Sequence, residues 1–434
     1  MHSIVLDDSL VLNGDEYHAL GHYQDRFIAD RLLKTPGWST FACIFQSVWH
    51  IPMAMHFIIA VSSLDLNRRS PRPAINMGVS RTHFRKGSEM LIQLMDRDAE
   101  PDHFSTLSAW LFLYLWLSCR DIPDKMAVDR LSMAVRNYIQ RYRLDSLSAG
   151  TITSHEKSPA SSSWHDPLVS VSSEAGLIGR LTLFLASEDI AMAFEGCGGH
   201  LARHVFGNAD LYWQIFSQQR FILERHWGES YPEYEGMHDL ETTAAMELGS
   251  KVGLLFHKVN ELSQMVSEEA EPLVLDIETG ILEIEREYSS ILHIARSRSS
   301  ATPISCLLRT ADAAVSSFYF VKLYYFRSTV SGCPTATPPP QHITSAMADL
   351  MNIAHRAFVE QEARGQETFQ LPLFMVGIET QDLIHVDWII PKISRLRFRT
   401  ALSRIRDIQD QTGCRLSITR IRDILCHAAH PIPA

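Results

Sequence analysis

The sequence predicts an all-α fold, on three observations. Apolar residues recur at three- and four-residue spacing through most of the chain, no segment sustains strand-type alternation between turn dipeptides, and helix breakers are scarce. The 434 residues include 21 Gly and 19 Pro, about 9% together against roughly 12% in average usage. A shortage of breakers favours long helices. With 46% hydrophobic and 21% charged residues, the chain has the composition of a globular protein large enough for one extended core or two to three smaller ones.

From about Glu16 to Ser146 the pattern reads as successive helices. Met53–Leu66 is almost wholly apolar or small, and a Pro-bearing turn at Asn67–Pro73 ends it. Arg81–Asp98 sets Phe84, Leu91, Leu94 and Met95 on one stripe against Arg81, Arg85, Lys86 and Arg97. Leu107–Cys119 is the longest apolar run and is closed by Arg120 and Asp121. It falls short of the roughly 20 residues of a membrane span and reads as a buried central helix. Asp129–Tyr142 carries Leu131, Val135, Tyr138 and Tyr142 at helical spacing.

Between about Asp145 and Ser173 the composition turns to Ser, Thr, Pro and Gly, centred on Ser158–Ser163, which predicts a flexible loop. Helical patterning resumes at Gly176 and runs through Phe194. Leu248, Val252, Leu255, Val259, Leu262 and Val266 form one narrow seam, and Ile277, Ile281, Ile284, Tyr288, Ile291 and Ala295 a second. They predict two long helices paired as an antiparallel hairpin across Glu268–Pro272. An aromatic helix (Phe318, Tyr319, Phe320, Tyr324, Tyr325, Phe326) then precedes a breaker-rich loop, Gly332–Pro340, and a helix over Met347–Ala363. The expected organisation is an N-terminal segment and first helix (1–39), a helical part (40–145), the Ser-rich loop (146–173), and the rest of the same helical domain (174–434).

Forty Lys and Arg against fifty Asp and Glu leave a net charge of −10, which argues against gripping nucleic acid through phosphate neutralisation. The seven Cys are scattered with no two closer than twelve positions, so neither a disulfide framework nor a zinc module is expected, and a reducing compartment is. The first residues lack a basic segment followed by an apolar stretch of signal length, so secretion is not expected. His18/His22 and His200/His204 have the i, i+4 spacing of metal ligands without the intervening Glu of the zincins, and Asp7-Asp8 lacks a third carboxylate. Gly196-Cys-Gly-Gly199 could suggest a thiol nucleophile or a phosphate cradle. It follows a helix and lacks a P-loop's Lys-Ser/Thr, so it reads as a glycine-rich helix stop. Glu283 and Arg286 read as an i, i+3 ion pair. No G-x-S-x-G occurs. Nine basic residues between Lys392 and Arg422, against Asp407 and Asp410, could contact phosphate or an acidic partner; the wet face of an amphipathic helix is the plainer reading. No metal, cofactor or catalytic residue is expected.

One segment stands out as a candidate ligand or hinge site. Leu371, Leu373, Phe374, Val376 and Ile378 surround Gly377 in a run too apolar for an exposed loop, and a glycine inside such a helix costs about 1 kcal/mol relative to Ala. A close helix crossing or an apolar ligand over the bare face would offset that cost. Under the ligand version, Glu379 and Asp382 stand at the wet rim and Trp388 closes over the cavity.

Several pieces together resemble the fungal-specific transcription factor domain, the large helical regulatory region of fungal zinc binuclear-cluster regulators. They are His56–Leu66 (HFIIAVSSLDL), His83-Phe84, the apolar Trp110–Leu117, Ser187–Gly196 (SEDIAMAFEG), Leu371–Thr380 (LPLFMVGIET) with Asp387-Trp388-Ile389, and Thr412–Leu425. The likeness spans roughly residues 40 to 425. It implies an all-helical regulatory module, a nuclear location, and gene control in sterol or secondary metabolism through a protein partner, a homo-oligomer or an apolar small-molecule effector. Family members carry six cysteines ahead of this region that hold two zinc ions and place a helix in the major groove. The residues before Cys43 contain none. Direct DNA binding is therefore not expected of this chain alone. The alternative expectation is a helical enzyme whose site is not visible in the sequence, and after it a scaffold.

Overall fold

A computed structural model describes residues 12–31, 33–69, 73–97, 101–121, 124–150, 172–265, 270–298, 305–330, 332–359 and 365–427. Among them the fold is all-α, and the sole β pairing is a bridge between Pro334 and Cys414. The N-terminal part holds α1 (Gly14–His22), a π-helical turn (Tyr23–Phe27), α2 (Ile28–Arg31), α3 (Thr40–Val48), α4 (Pro52–Arg69), α5 (Pro73–Met95), α6 (His103–Ser118), α7 (Lys125–Arg141) and α8 (Leu144–Ser148). The remainder runs through α9 (Ser173–Phe194), α10 (His200–Phe206), α11 (Ala209–Gln218), α12 (Ile222–Trp227), α13 (Glu233–Leu262), α14 (Glu271–Glu287) and α15 (Ser289–Ser297). It ends with α16 (Cys306–Thr329), α17 (Gln341–Val359), α18 (Gln370–Glu379), α19 (Leu383–Ile389), α20 (Leu396–Thr412) and α21 (Ile418–His427). Among the described residues no helix is long and apolar enough to cross a membrane.

Helix starts follow side-chain caps that accept orphan backbone N–H groups. Asn13 and Glu16 form a reciprocal capping box on α1. Asp102, Asp124, Ser172 and Ser305 cap α6, α7, α9 and α16. The Ser172 cap explains why α9 begins three residues before the apolar pattern does. α6 is buried on every side and packs on α4 and α9, as its unbroken apolar run predicts. The aromatic α16 is the second central helix, in contact with α13, α15, α17 and α18. One hydrophobic cluster extends from Tyr23 to Leu425, so the two predicted helical parts share a core.

The paired seams need correcting. α13 starts at Glu233, well before its apolar seam, and packs more extensively along α16 than along α14. Phe256 on α13 meets Phe320 and Tyr324 on α16 at ring-centroid distances of 5.1 and 5.9 Å. The second seam is not one helix: Tyr288 leaves helical geometry (φ −104°, ψ 22°), ends α14 and lets α15 restart at Ser289. Of the turn expected at Glu268–Pro272, residues 268 and 269 lie outside the described residues, and Glu271 and Pro272 already form the first turn of α14. The core of the Ser-rich loop and Asp7-Asp8 also lie outside them. The chain is still helical at Ser148, within the span read as loop.

Candidate functional site

α13 and α16 present small residues to each other's neighbourhood, and the space they leave is a cavity of about 480 Å³. Ala245, Gly249 and Gly253 of α13 and Ala313 and Ala314 of α16 form one side. Phe184 of α9, Phe206, Tyr212, Phe216 and Phe221 add aromatic rings to its wall. A methyl group added at Gly249 would meet nothing within 4 Å, so this glycine faces open space. The volume lies in the range of small-molecule sites, about 300–1,000 Å³, and such sites combine apolar walls with a few polar groups.

The polar group that stands apart is Arg180, on α9. It is the single charge in the run Gly176–Leu185 (GLIGRLTLFL), and its Nε is buried with no hydrogen-bond partner. No ion pair engages its guanidinium among the described residues. Burial pulls its pKa down, opposed at longer range by Asp239, Cys43 and Tyr231. Asp239 is already occupied: Lys34 Nζ is bonded to it, and Tyr231 donates to it at 2.7 Å.

The five residues of the sequence-predicted site lie elsewhere, and none lines this cavity. Leu371 is half-buried; Phe374 is fully buried against Phe398 and Phe194, with ring centroids 5.1 and 6.3 Å away. A Cβ on Gly377 would stand 2.7 Å from Leu402 Cδ2, so α20 occupies the face the missing side chain leaves bare. Of the two readings of this glycine, the close crossing is the one present. Glu379 is not at a wet rim: it is buried, bonded to Arg327 and 3.7 Å from Arg415 Nε. Trp388 packs on Phe358 and His355, with Lys392 over its ring. Gly377→Leu is expected to destabilise the protein by about 3 kcal/mol or more, since overpacking commonly costs about 1–3 kcal/mol and here the contact is with a fully buried leucine. Thermal and urea unfolding check this; a fully stable variant refutes the close crossing.

The basic segment 392–422 also differs from its expected wet face. Arg397 pairs with Glu195 inside the protein and donates to the Arg120 carbonyl at 2.7 Å. Arg395 lies 3.8 Å from both Glu195 and Glu367. Arg415 reaches Glu379 and the carbonyls of Pro334 and Thr337, and Arg422 donates to the Phe194 carbonyl, Ser263 and Tyr324. These arginines fasten α20 and α21 onto the ends of α9 and α16. Residue type gave their charge; only the fold gives their acceptors.

The Gly196–Gly199 loop is a helix stop with an internal occupant. Asp189 Oδ1 accepts from Gly199 N–H at 2.9 Å and Tyr114 Oη at 3.0 Å, and Oδ2 accepts from Ala202 N–H and Ser132 Oγ, both at 2.9 Å. Gly198 has φ +73°, and a Cβ there would sit 2.6 Å from Asp189 Oδ1. The chain's own carboxylate thus fills the place a phosphate would take. Burial pushes the Cys197 thiol pKa well up, which opposes the thiolate a nucleophile needs.

Of the histidine pairs, His22 bonds Asp65 at 2.8 Å and His204 bonds Asp145 at 3.0 Å, each tied to a single carboxylate. Among the described residues no three His, Cys, Asp or Glu side chains gather as a metal site. Glu283 and Arg286 are exposed and form no ion pair with each other. A different histidine pair is buried: His56 Nδ1 lies 2.8 Å from His83 Nδ1, and His83 Nε2 lies 2.7 Å from Glu16. Burial first, then the neighbouring His83 and Lys86, pulls the His56 pKa down to about 4. An unfolded chain takes up that proton near pH 6.5, so this stability is fully present above pH 6.5 and is lost as pH falls toward 4. The expected loss, on the order of 3 kcal/mol, shows in urea midpoints measured from pH 7 to 4. An equally steep profile in His56→Gln refutes the assignment.

No family model, curated protein or solved structure matches this chain.

Proposed function

We propose that the chain is a ligand-sensing regulatory module of the kind represented by the fungal-specific transcription factor domain, acting in the nucleus through a protein partner or a second copy of itself. The observation that carries the reading is the aromatic-walled cavity of about 480 Å³ between α9, α11, α13 and α16. Its position supports a sensing role. α9 and α16 line the cavity, and Arg422 of α21 donates to the Phe194 carbonyl of α9 and to Tyr324 of α16, so filling it bears on the attachment of the last helix. The inward turn of Arg395, Arg397, Arg415 and Arg422 leaves that segment poorly suited to grip phosphate, in keeping with action through a partner.

The test fuses the full chain to an unrelated DNA-binding module and reads a reporter gene in fungal cells exposed to a library of sterols and secondary metabolites. A compound-dependent response in the wild type that disappears in Gly249→Leu, whose side chain would grow into the open space, is the expected result. A reporter indifferent to every compound, or a response untouched by Gly249→Leu, overturns it.

A further inference from the structure

We propose that the cavity selects an organic monoanion, a carboxylate on an apolar body, and that Arg180 is the residue that binds its charged head; this rests on the ligand-sensing reading above. The cavity wall carries four cationic side chains, Arg31, Lys34, Arg180 and Arg220, against two acidic ones, Asp239 and Glu247. Lys34 is matched by Asp239 and by Glu235 at 3.5 Å, and Arg31 lies 3.7 Å from Asp65 and over the ring of Phe27. Arg220 is exposed at the rim, where its guanidinium lies over Phe221. Arg180 is half-buried, its Nε is buried without a hydrogen-bond partner, and no ion pair engages it among the described residues, since Asp239, the carboxylate that acts on it, is held by Lys34 and Tyr231.

Several other polar groups of the wall are committed. Thr242, Ser250, Thr310 and Ser317 each donate to the carbonyl one turn back in their own helix, and Ser187 does the same on α9. Their protons are spent on backbone, which leaves the Arg180 guanidinium as the half-buried charged donor of the wall that no acceptor engages among the described residues. A partly desolvated cation without a partner is costly, and an ionised ligand with hydrogen-bonding oxygens removes that cost when it binds. The planar guanidinium fork matches a carboxylate through two parallel hydrogen bonds. Phe184, Phe216 and the alanines of α16 then cover the apolar body. In the free protein the same residue is a liability, so its removal should help the fold and harm the binding.

The test is calorimetric titration of the full chain with dodecanoate and with 1-dodecanol, an uncharged probe of the same length, in wild type and Arg180→Met. The expected result is that dodecanoate binds wild type at one per chain and at least about tenfold more tightly than dodecanol. Arg180→Met should lose dodecanoate affinity by about tenfold or more, retain or gain dodecanol, and melt no lower than wild type without ligand. Equal dodecanoate affinity in the two proteins overturns the proposal, as does a variant that melts well below wild type, which would make Arg180 a structural partner. Dodecanol binding with no preference for the acid sinks the anion assignment and leaves the sensing reading standing. Failure of wild type to bind either probe sinks the anion assignment, and the reporter experiment then judges the sensing reading by itself.

Discussion

Asp189→Ala should lower the stability of the protein by about 3–5 kcal/mol, the largest loss expected from a single side chain here. Four donors converge on this carboxylate, two on each oxygen, and they come from three places in the chain: Tyr114 of α6, Ser132 of α7, and the backbone at the start of α10. Removing it leaves buried donors with no acceptor. Ser132 adds to the damage, because the hydroxyl that donates to Asp189 also accepts from the N–H groups of His200 and Leu201. Asp189→Asn keeps the volume but turns an amide NH₂ toward other donors, so it should recover only part of the loss. Urea unfolding of the two variants checks both statements; a loss below about 1 kcal/mol for the alanine would mean that the network rearranges without it.

Glu379→Leu is expected to cost nearly as much, for a different reason. Arg327 and Arg415 are both buried, and Glu379 is the acidic group they share. Truncating one side of a buried pair leaves the other charge uncompensated, typically about 3–5 kcal/mol. Arg327 keeps Gln409 and the Leu416 carbonyl as neutral acceptors, which do not cancel its charge. Replacing both partners, in Arg327→Met/Glu379→Leu, should regain most of the loss, since apolar side chains of similar volume often match a buried pair in stability. If the double variant unfolds as readily as the single one, the pair orders α18 in a way that packing cannot replace.

The fold class and the central helices were legible because each depends on pattern alone. Leu107–Cys119 could only be an interior helix, and Gly377 declared a need for closeness that Leu402 supplies. Pairing was not legible. Arg397 and Glu195 are 202 positions apart, and nothing local tells a paired interior arginine from one on a wet helix face. The break at Tyr288 was hidden because the seam continues with unaltered spacing across it. The cavity was invisible for a further reason: it is lined from α9, α11, α13 and α16, which are far apart in the sequence, and its small residues carry no pattern. One signal was present: a lone arginine within GLIGRLTLFL is out of keeping with an interior helix, and it is this residue that lines the cavity.

The π-helical turn at Tyr23–Phe27 sets the angular phase of everything before it. α1, this turn and α2 form one uninterrupted rod from Gly14 to Arg31, yet His22 and Arg31, nine positions apart, both approach Asp65. In an unbroken α-helix, at about 100° per residue, two such positions would point in opposite directions. The wider turn takes up part of that rotation. Its five residues therefore act as a phase spacer between two lengths of rod. Inserting one more residue there would swing α1 by about 100° about its axis. Glu16 would leave His83 and His22 would leave Asp65, while Arg31, on the far side of the spacer, kept its place in the cavity wall. A length change of one residue would thus uncouple the capped N-terminal helix from the cavity without touching a single residue that lines it.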